Sequence, residues 1–515
     1  MSTLSRWISG TAASWAKIFI TIFTQVALVP LYLAYWDVET FGIWVAIQAL
    51  VTFVTIFDYS HQTLLEFEFL RFGDQNKPLI RKFLWSGVAV GLVISLLQLG
   101  FIYLLIVTGG LSFLLDAKDL DNPVLLRDAG IVLFLHGVSW MISFSCSGLL
   151  GRALSPFGYF SKVSWWGVGS SLLIALSTAV AVVLGSDLLV TGIVANAVTI
   201  LYSLIFYGYL FTILRKEKIV WKAPSWGLGI KNFLMSNALS GKFLLDLVRQ
   251  QGIRLFLAPI AGLSAMAAFS TMRTGAYFAI QGLNTITNPM MPELMRFLHN
   301  RDQARSSASF AMVWIVVVGI IAPALMIIQL FIEPLFEIWT RGKIEISPLL
   351  FGSLSITVLI FAWAQPAFTV LRGNNMLKPQ LYISIVTAAI TIAGIFLIVP
   401  KNGIIGAGIA LLVAEIFAAV VVTIIAAKWM VRNGLQWPRG LSGRSLSSVV
   451  VSSIAIFLVT YFPEFKWAIV FIACMLLAWN LLRFWSLLPG FAKEQAKRFA
   501  AKLPGCKHLL SPKMN

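Results

Sequence analysis

Charge and cysteine are what this sequence has least of. Only 12% of its 515 residues are charged, against about 25% in an average soluble domain. The three cysteines, Cys146, Cys474 and Cys506, share no spacing, which argues against a disulfide framework or a thiolate metal site. The four histidines, His61, His136, His299 and His508, are scattered. No H-E-x-x-H pattern sets two of them on one helix face for zinc, and no G-x-x-x-x-G-K-[ST] occurs for hydrolysing ATP through a P-loop. His136, alone in an apolar run, reads as a satisfied core residue rather than a proton relay. Long loops are missing too. The longest outer connection, Gly109–Val124, has only sixteen residues, which leaves no room for a soluble domain. A glycan polymerase, ligase or glycosyltransferase usually needs one for acceptor chemistry, so an enzyme is not expected.

What remains is oil. The chain is 59% hydrophobic, with a mean hydropathy of +0.87. Apolar runs of about 20 residues recur, each long enough to cross a hydrocarbon core of roughly 30 Å. A barrel would instead alternate in segments of about ten residues. The fold class expected is an all-α polytopic membrane protein with about fourteen transmembrane helices. The expected spans are 12–35, 42–70, 83–108, 125–150, 160–184, 188–214, 232–258, 264–292, 307–336, 347–371, 379–399, 404–427, 446–462 and 466–488. The first run is too long for a signal h-region and has no small-residue cleavage pattern, so it reads as a retained span.

Charge placement orients these spans. Of 39 Lys and Arg, 28 fall on the N-terminal side of the membrane, counting Arg483 at the end of the last span, 6 on the opposite side and 5 inside spans. The positive-inside rule puts both termini in the cytoplasm. The net charge of +18 is therefore mainly topology, and nucleic acid is not an expected partner. In the basic tail, 489–515, Phe491, Phe499 and Leu503 recur at helical spacing among lysines, which suits either a helix on anionic lipid or an ordinary solvated tail. The connection at 215–231 follows the sixth span and divides the chain into an N-terminal six-helix lobe (1–214) and a C-terminal one (232–430), with two extra helices at 445–488. The halves share weak echoes. Lys17 and Gln25 have the separation of Lys242 and Gln250, and IQAL (Ile47–Leu50) parallels IQGL (Ile280–Leu283).

The polar residues inside spans are the functional signal. At 100° per residue, Lys242, Asp246 and Arg249 of the seventh span fall within an arc of about 60°, which Gln250 and Arg254 extend to about 140°. Gln251 lies off that face. In the eighth span Arg273, Tyr277, Gln281, Asn284 and Asn288 share about 80°. In the second, Gln48, Thr52, Thr55, Tyr59, Gln62 and Glu66 do the same, with Asp58 about 40° outside. In the first, Ser14, Lys17, Thr21, Thr24 and Gln25 cover about 100°. A charge at the centre of a lipid-facing helix costs about 2.5–3.5 kcal/mol, so these stripes must face protein or water. Two readings follow: a cavity wall, or a structural network in which Asp246 pairs with Lys242 and Arg249 and Asp58 or Glu66 reaches across to Lys17, Arg254 or Arg273. As a cavity wall, Lys17, Lys242, Arg249, Arg254 and Arg273 form a cationic surface suited to phosphate or carboxylate. Asp246 positions the seventh-span cations. Gln25, Tyr59, Gln62, Tyr277, Gln281 and Asn284 offer polar contacts. Asp58, Glu66 or Glu415 could couple to H+ or Na+; no cofactor and no metal are expected.

Three stretches point to a family. FGIWVAIQALVTFVTIFDYSHQTLLEFEFLR (Phe41–Arg71), PMMPELMRFLHNRDQARS (Pro289–Ser306) and NGIIGAGIALLVAE (Asn402–Glu415) occur in order and in register with the spans. They resemble the prokaryotic polysaccharide transporters, including the Wzx-type O-antigen flippases, of the multidrug/oligosaccharidyl-lipid/polysaccharide exporter superfamily. The resemblance covers the chain to about residue 430. Ser60 stands where the family's Asp-x-Gly turn after Asp58 has glycine, which puts any fine role of that turn in doubt. The resemblance implies two six-helix lobes around a central cavity. It implies alternating access that moves an undecaprenyl-diphosphate-linked oligosaccharide, an O-antigen or exopolysaccharide repeat unit, across the bacterial inner membrane. It also implies membrane lipids, a polysaccharide polymerase and a chain-length regulator as partners. An ion-coupled drug or metabolite antiporter of the same superfamily is the alternative; cationic drugs would prefer an acidic cavity, and this stripe is basic.

Overall fold

The computed structural model describes residues 3–115, 123–247, 253–374, 376–490 and 493. The ordered elements among them are all helical. In chain order they are α1 (Thr3–Tyr35), α2 (Val38–Val54), α3 (Ile56–Phe72), α4 (Lys77–Val107), α5 (Gly110–Leu114), α6 (Pro123–Trp140) and α7 (Cys146–Arg152). Next come α8 (Phe160–Val183), α9 (Leu188–Lys216), α10 (Trp226–Leu247), α11 (Ile253–Ala261), α12 (Leu263–His299), α13 (Gln303–Val316) and α14 (Ala322–Ile327). The last are α15 (Ile332–Thr340), α16 (Pro348–Gly373), α17 (Leu377–Asn402), α18 (Ile404–Arg432), α19 (Arg439–Tyr461) and α20 (Lys466–Leu487). Several starts are capped as their sequences predict. Asp37, Asp187 and Asp302 accept from Thr40 N, Val190 N and Arg305 N.

Eleven spans among the described residues are long and apolar enough to cross a membrane, and the bent pair α2–α3 makes a twelfth. These correspond to twelve of the fourteen expected spans. The other two, the seventh and eighth, are helical in their described parts (α10, α11 and α12) but fall short in apolar character. They are the two helices that carry the cationic stripe. Residues 248–252, with Arg249, Gln250 and Gln251, and the side chains of Lys242, Asp246 and Asn288 lie outside the described residues. So does the tail beyond Gly490 apart from Lys493, the stretch that suits either a surface helix or a solvated tail.

The second span is two helices, α2 and α3. It breaks at Thr55 with a bend of 48° between α2 and α3. Thr52 and Thr55 hydroxyls bond back to the Gln48 and Val51 carbonyls, a habit that bends helices. At the break the Val54 carbonyl accepts from Gln98 Nε2 of α4 at 2.8 Å. A side chain thus takes over a carbonyl at the kink.

Two compact units emerge from the packing. The first is Met1–Thr271 with Glu337–Glu345 and Ile395–Ile404. Within it α1 packs on α8, α6 on α9, and α10 along α3 and α4. The last contact is backbone-close: a Cβ on Gly229 would lie 2.6 Å from the Ser86 carbonyl oxygen. The boundary between the two compact units falls within α12. The second unit is Met272–Phe336, Ile346–Gly394 and Ile405–Asn515. Trp314 and Phe310 are fully buried in it, and Trp437 packs on both rings. Asn480 of α20 donates to Ser448 Oγ of α19 at 2.6 Å.

Candidate functional site

Within the first unit, helices α1, α2, α3, α6, α8, α9 and α10 surround a cavity of about 780 Å3. Two aromatic pairs, Tyr32 with Trp44 and Trp140 with Phe144, are part of its lining. Tyr32 stacks on Trp36 at 5.1 Å, and Trp44 meets both rings edge-on at 6.1 and 5.9 Å. Trp140 stacks on Phe144 at 5.2 Å. Between them runs a polar chain. Gln48 Nε2 lies 3.2 Å from His136 Nε2, His136 Nδ1 lies 3.0 Å from the Val132 carbonyl, and Asn196 Nδ2 lies 3.0 Å from Nδ1. Nδ1 thus faces both an acceptor, the Val132 carbonyl, and a donor, the Asn196 amide, and the direction of each bond follows the ring's tautomer. His136 is thus satisfied, as its sequence context indicated, but it lines a cavity rather than a core.

Asp58 sits behind this wall, fully buried. Its Oδ2 accepts from Gln62 Nε2 and Trp140 Nε1, both at 2.9 Å, and its Oδ1 accepts from Ser145 Oγ at 3.2 Å. All three partners are donors, matched to an acceptor-only carboxylate. Ser145 and Trp140 can both reach it because α6 passes into α7 through a π-helical turn at Met141–Ser145, a one-turn bulge of the kind that recurs at functional sites. The Phe144 carbonyl in that turn accepts from Gln62. A Cβ on Gly148 would collide with Gln62 Oε1, so glycine is required there for Gln62 to hold this position.

One turn further along α3, Glu66 pairs with Arg152 at 2.6 Å. The guanidinium also bonds Thr63 and lies 5.3 Å from the Tyr59 ring centroid. Asp58 and Glu66 are therefore held by neutral donors and by Arg152, and the expected reach across to Lys17, Arg254 or Arg273 does not describe them. Arg152, one of the 28 basic residues counted on the N-terminal side of the membrane, is the half-buried partner of Glu66.

Of the other expected site residues in the first unit, Lys17 is exposed on α1, and Gln25 on α1 and Arg254 on α11 are half-buried. Tyr59 is exposed and touches Phe243, and both line the cavity. Gln62 is buried with its amide committed to Asp58 and Phe144, so it supports the carboxylate. In the second unit, α12 carries Arg273, Tyr277, Gln281 and Asn284. The helix is continuous, so their spacing sets them on one face. Arg273 is only 5% exposed, and its guanidinium carbon stands 4.8 Å from the Tyr277 ring centroid. Tyr277, Gln281 and Asn284 are half-buried, and Glu415 of α18 is buried.

Neither a family model nor a curated protein matches the sequence. Solved structures do. The chain is similar over 95% of its length to the whole of the lipid II flippase MurJ in an inward closed conformation, with a TM-score of 0.62 at 14% identity. It is similar over 81% of its length to 95% of an inward-facing multidrug resistance MATE family transporter of the MOP superfamily, TM-score 0.62, 10% identity. A Vibrio cholerae MATE transporter, VcmN, matches with a TM-score of 0.55 at 16% identity, covering 84% of this chain and 98% of that one. At these identities the likeness is one of fold. The chain is a multi-pass membrane protein with the helical fold of MOP-superfamily transporters.

Proposed function

We propose that this chain is a flippase that carries an undecaprenyl-diphosphate-linked oligosaccharide, an O-antigen or exopolysaccharide repeat unit, across the bacterial inner membrane by alternating access. The observation that carries the reading is α12. Where fourteen apolar spans were expected, this helix holds a desolvated guanidinium seated on Tyr277 and continues the same face with Gln281 and Asn284. In low dielectric such a cation attracts anions strongly, and guanidinium matches phosphate in a bidentate way. Amides and a phenol along the same face suit sugar hydroxyls. Arg254, Lys17 and the seventh-span cations Lys242 and Arg249 are the other basic residues assigned to phosphate in this reading. The fold supports it, since one similar structure is that of a lipid II flippase. One of Asp58, Glu66 and Glu415 carries the coupling ion, H+ or Na+. The charge count places both termini in the cytoplasm. A polysaccharide polymerase and a chain-length regulator are the partners the resemblance implies. The drug-antiporter alternative lacks what it needs: no carboxylate lines the 780 Å3 cavity among the described residues.

The genetic test is deletion of the gene in a host that makes the surface glycan. Surface glycan should fall to background while the lipid-linked oligosaccharide accumulates in the membrane. Normal surface glycan combined with greater drug sensitivity would overturn the reading.

A further inference from the structure

We propose that the cavity of the first unit is a subsite for uncharged pyranose rings. The inference rests on the flippase reading above and deepens it. Four features of the cavity argue for this ligand. Its lining includes aromatic rings, Trp44 with Tyr32 and Trp140 with Phe144, and an aromatic ring offers an apolar plane against which the C–H face of a sugar packs. Its rim supplies amide and imidazole groups: with Gln48 Nε2 against His136 Nε2, the Gln48 carbonyl oxygen remains for a hydroxyl. Gln48 is exposed, and it lines the cavity.

The third feature is charge. No Lys, Arg, Asp or Glu is among the described residues lining the cavity. Asp58, behind the wall, is fully buried and meets three donors, one of them from the wall itself through Trp140. Among the described lining residues, neither a diphosphate nor an organic cation meets a counter-ion. An acyl or prenyl chain has no use for the Gln48–His136–Asn196 chain. The ligand class left is polar, uncharged and flat-faced. The fourth feature is size: about 780 Å3 lies within the roughly 300–1,000 Å3 of sites for drug-sized ligands, which suits a short oligosaccharide rather than one ring.

A transport comparison tests this. The full-length protein is reconstituted in vesicles with two substrates. One is the lipid-linked oligosaccharide pool extracted from the deletion strain. The other is the same carrier diphosphate bearing only its first sugar. Trp44→Leu and Gln48→Ala should each slow transport of the complete unit by about tenfold, the scale of one lost stacking or hydrogen-bonding group. Both should leave the one-sugar carrier unchanged, and Trp44→Phe should keep most of the wild-type rate. Gln48 projects into the cavity, so its variant remains informative if Trp44→Leu does not fold. Equal slowing of both substrates, or no effect of Gln48→Ala on either, overturns the subsite while leaving the flippase reading standing. Failure of the wild-type protein to move either substrate overturns both.

Discussion

Asp58→Ala is expected to abolish transport and to lower the melting temperature of the purified protein more than any other single cavity-wall substitution. The change removes the acceptor for Gln62 Nε2, Trp140 Nε1 and Ser145 Oγ together. Each buried donor left unsatisfied costs about 1–3 kcal/mol. Asp58→Asn should be nearly as damaging, because an amide presents two donor hydrogens to a site already filled with donors. Trp140→Phe removes one donor and keeps the ring, so it should be far milder. In a double-mutant cycle of Asp58→Asn with Trp140→Phe, the pair should be less damaged than the sum of the singles. Additive losses in thermal melts would show that the three-donor arrangement does not organise this wall.

Arg273→Ala should reduce export of the lipid-linked oligosaccharide by about 10- to 150-fold, the equivalent of one hydrogen-bonded contact to a charged group. Arg273→Lys should fall between alanine and wild type. Lysine keeps the charge but loses the planar fork and part of the packing over Tyr277. Surface glycan measured at matched protein abundance provides the check. Normal glycan with Arg273→Ala would remove the cationic site from the account. A fall in protein abundance that accounts for the whole loss would make Arg273 a structural residue.

Particular residues show what could be read from the sequence and what could not. Length, oil and the placement of Lys and Arg were sufficient for the class, because a hydrocarbon core admits few solutions for the backbone. The polarity of α12 was legible as well, since a charged stripe at helical spacing in an apolar run has few explanations. The break at Thr55 was not. It depends on Gln98 of α4 reaching the Val54 carbonyl, a contact between helices that 44 residues of sequence keep apart. The pairing of Arg152 was hidden for the same reason: an Arg at the end of a span reads as a topology signal, and only the fold sets Glu66 beside it. The π-helical turn at Met141–Ser145 has no sequence signature, yet it brings Ser145 and Trp140 to one carboxylate. The cavity was likewise assembled from seven helices. His136 looked like ordinary core until it faced one space with Trp44.

The account's central claim is movement of a lipid-linked oligosaccharide between leaflets, and the direct measurement is leaflet accessibility in sealed proteoliposomes. Lipid-linked oligosaccharide is incorporated with the purified protein, and a membrane-impermeant glycosidase is added outside. The account predicts that the inner-leaflet pool becomes digestible with the wild-type protein and stays protected with Arg273→Ala or Asp58→Ala. Protection equal to that of protein-free vesicles, with the wild-type protein folded and correctly inserted, would contradict it.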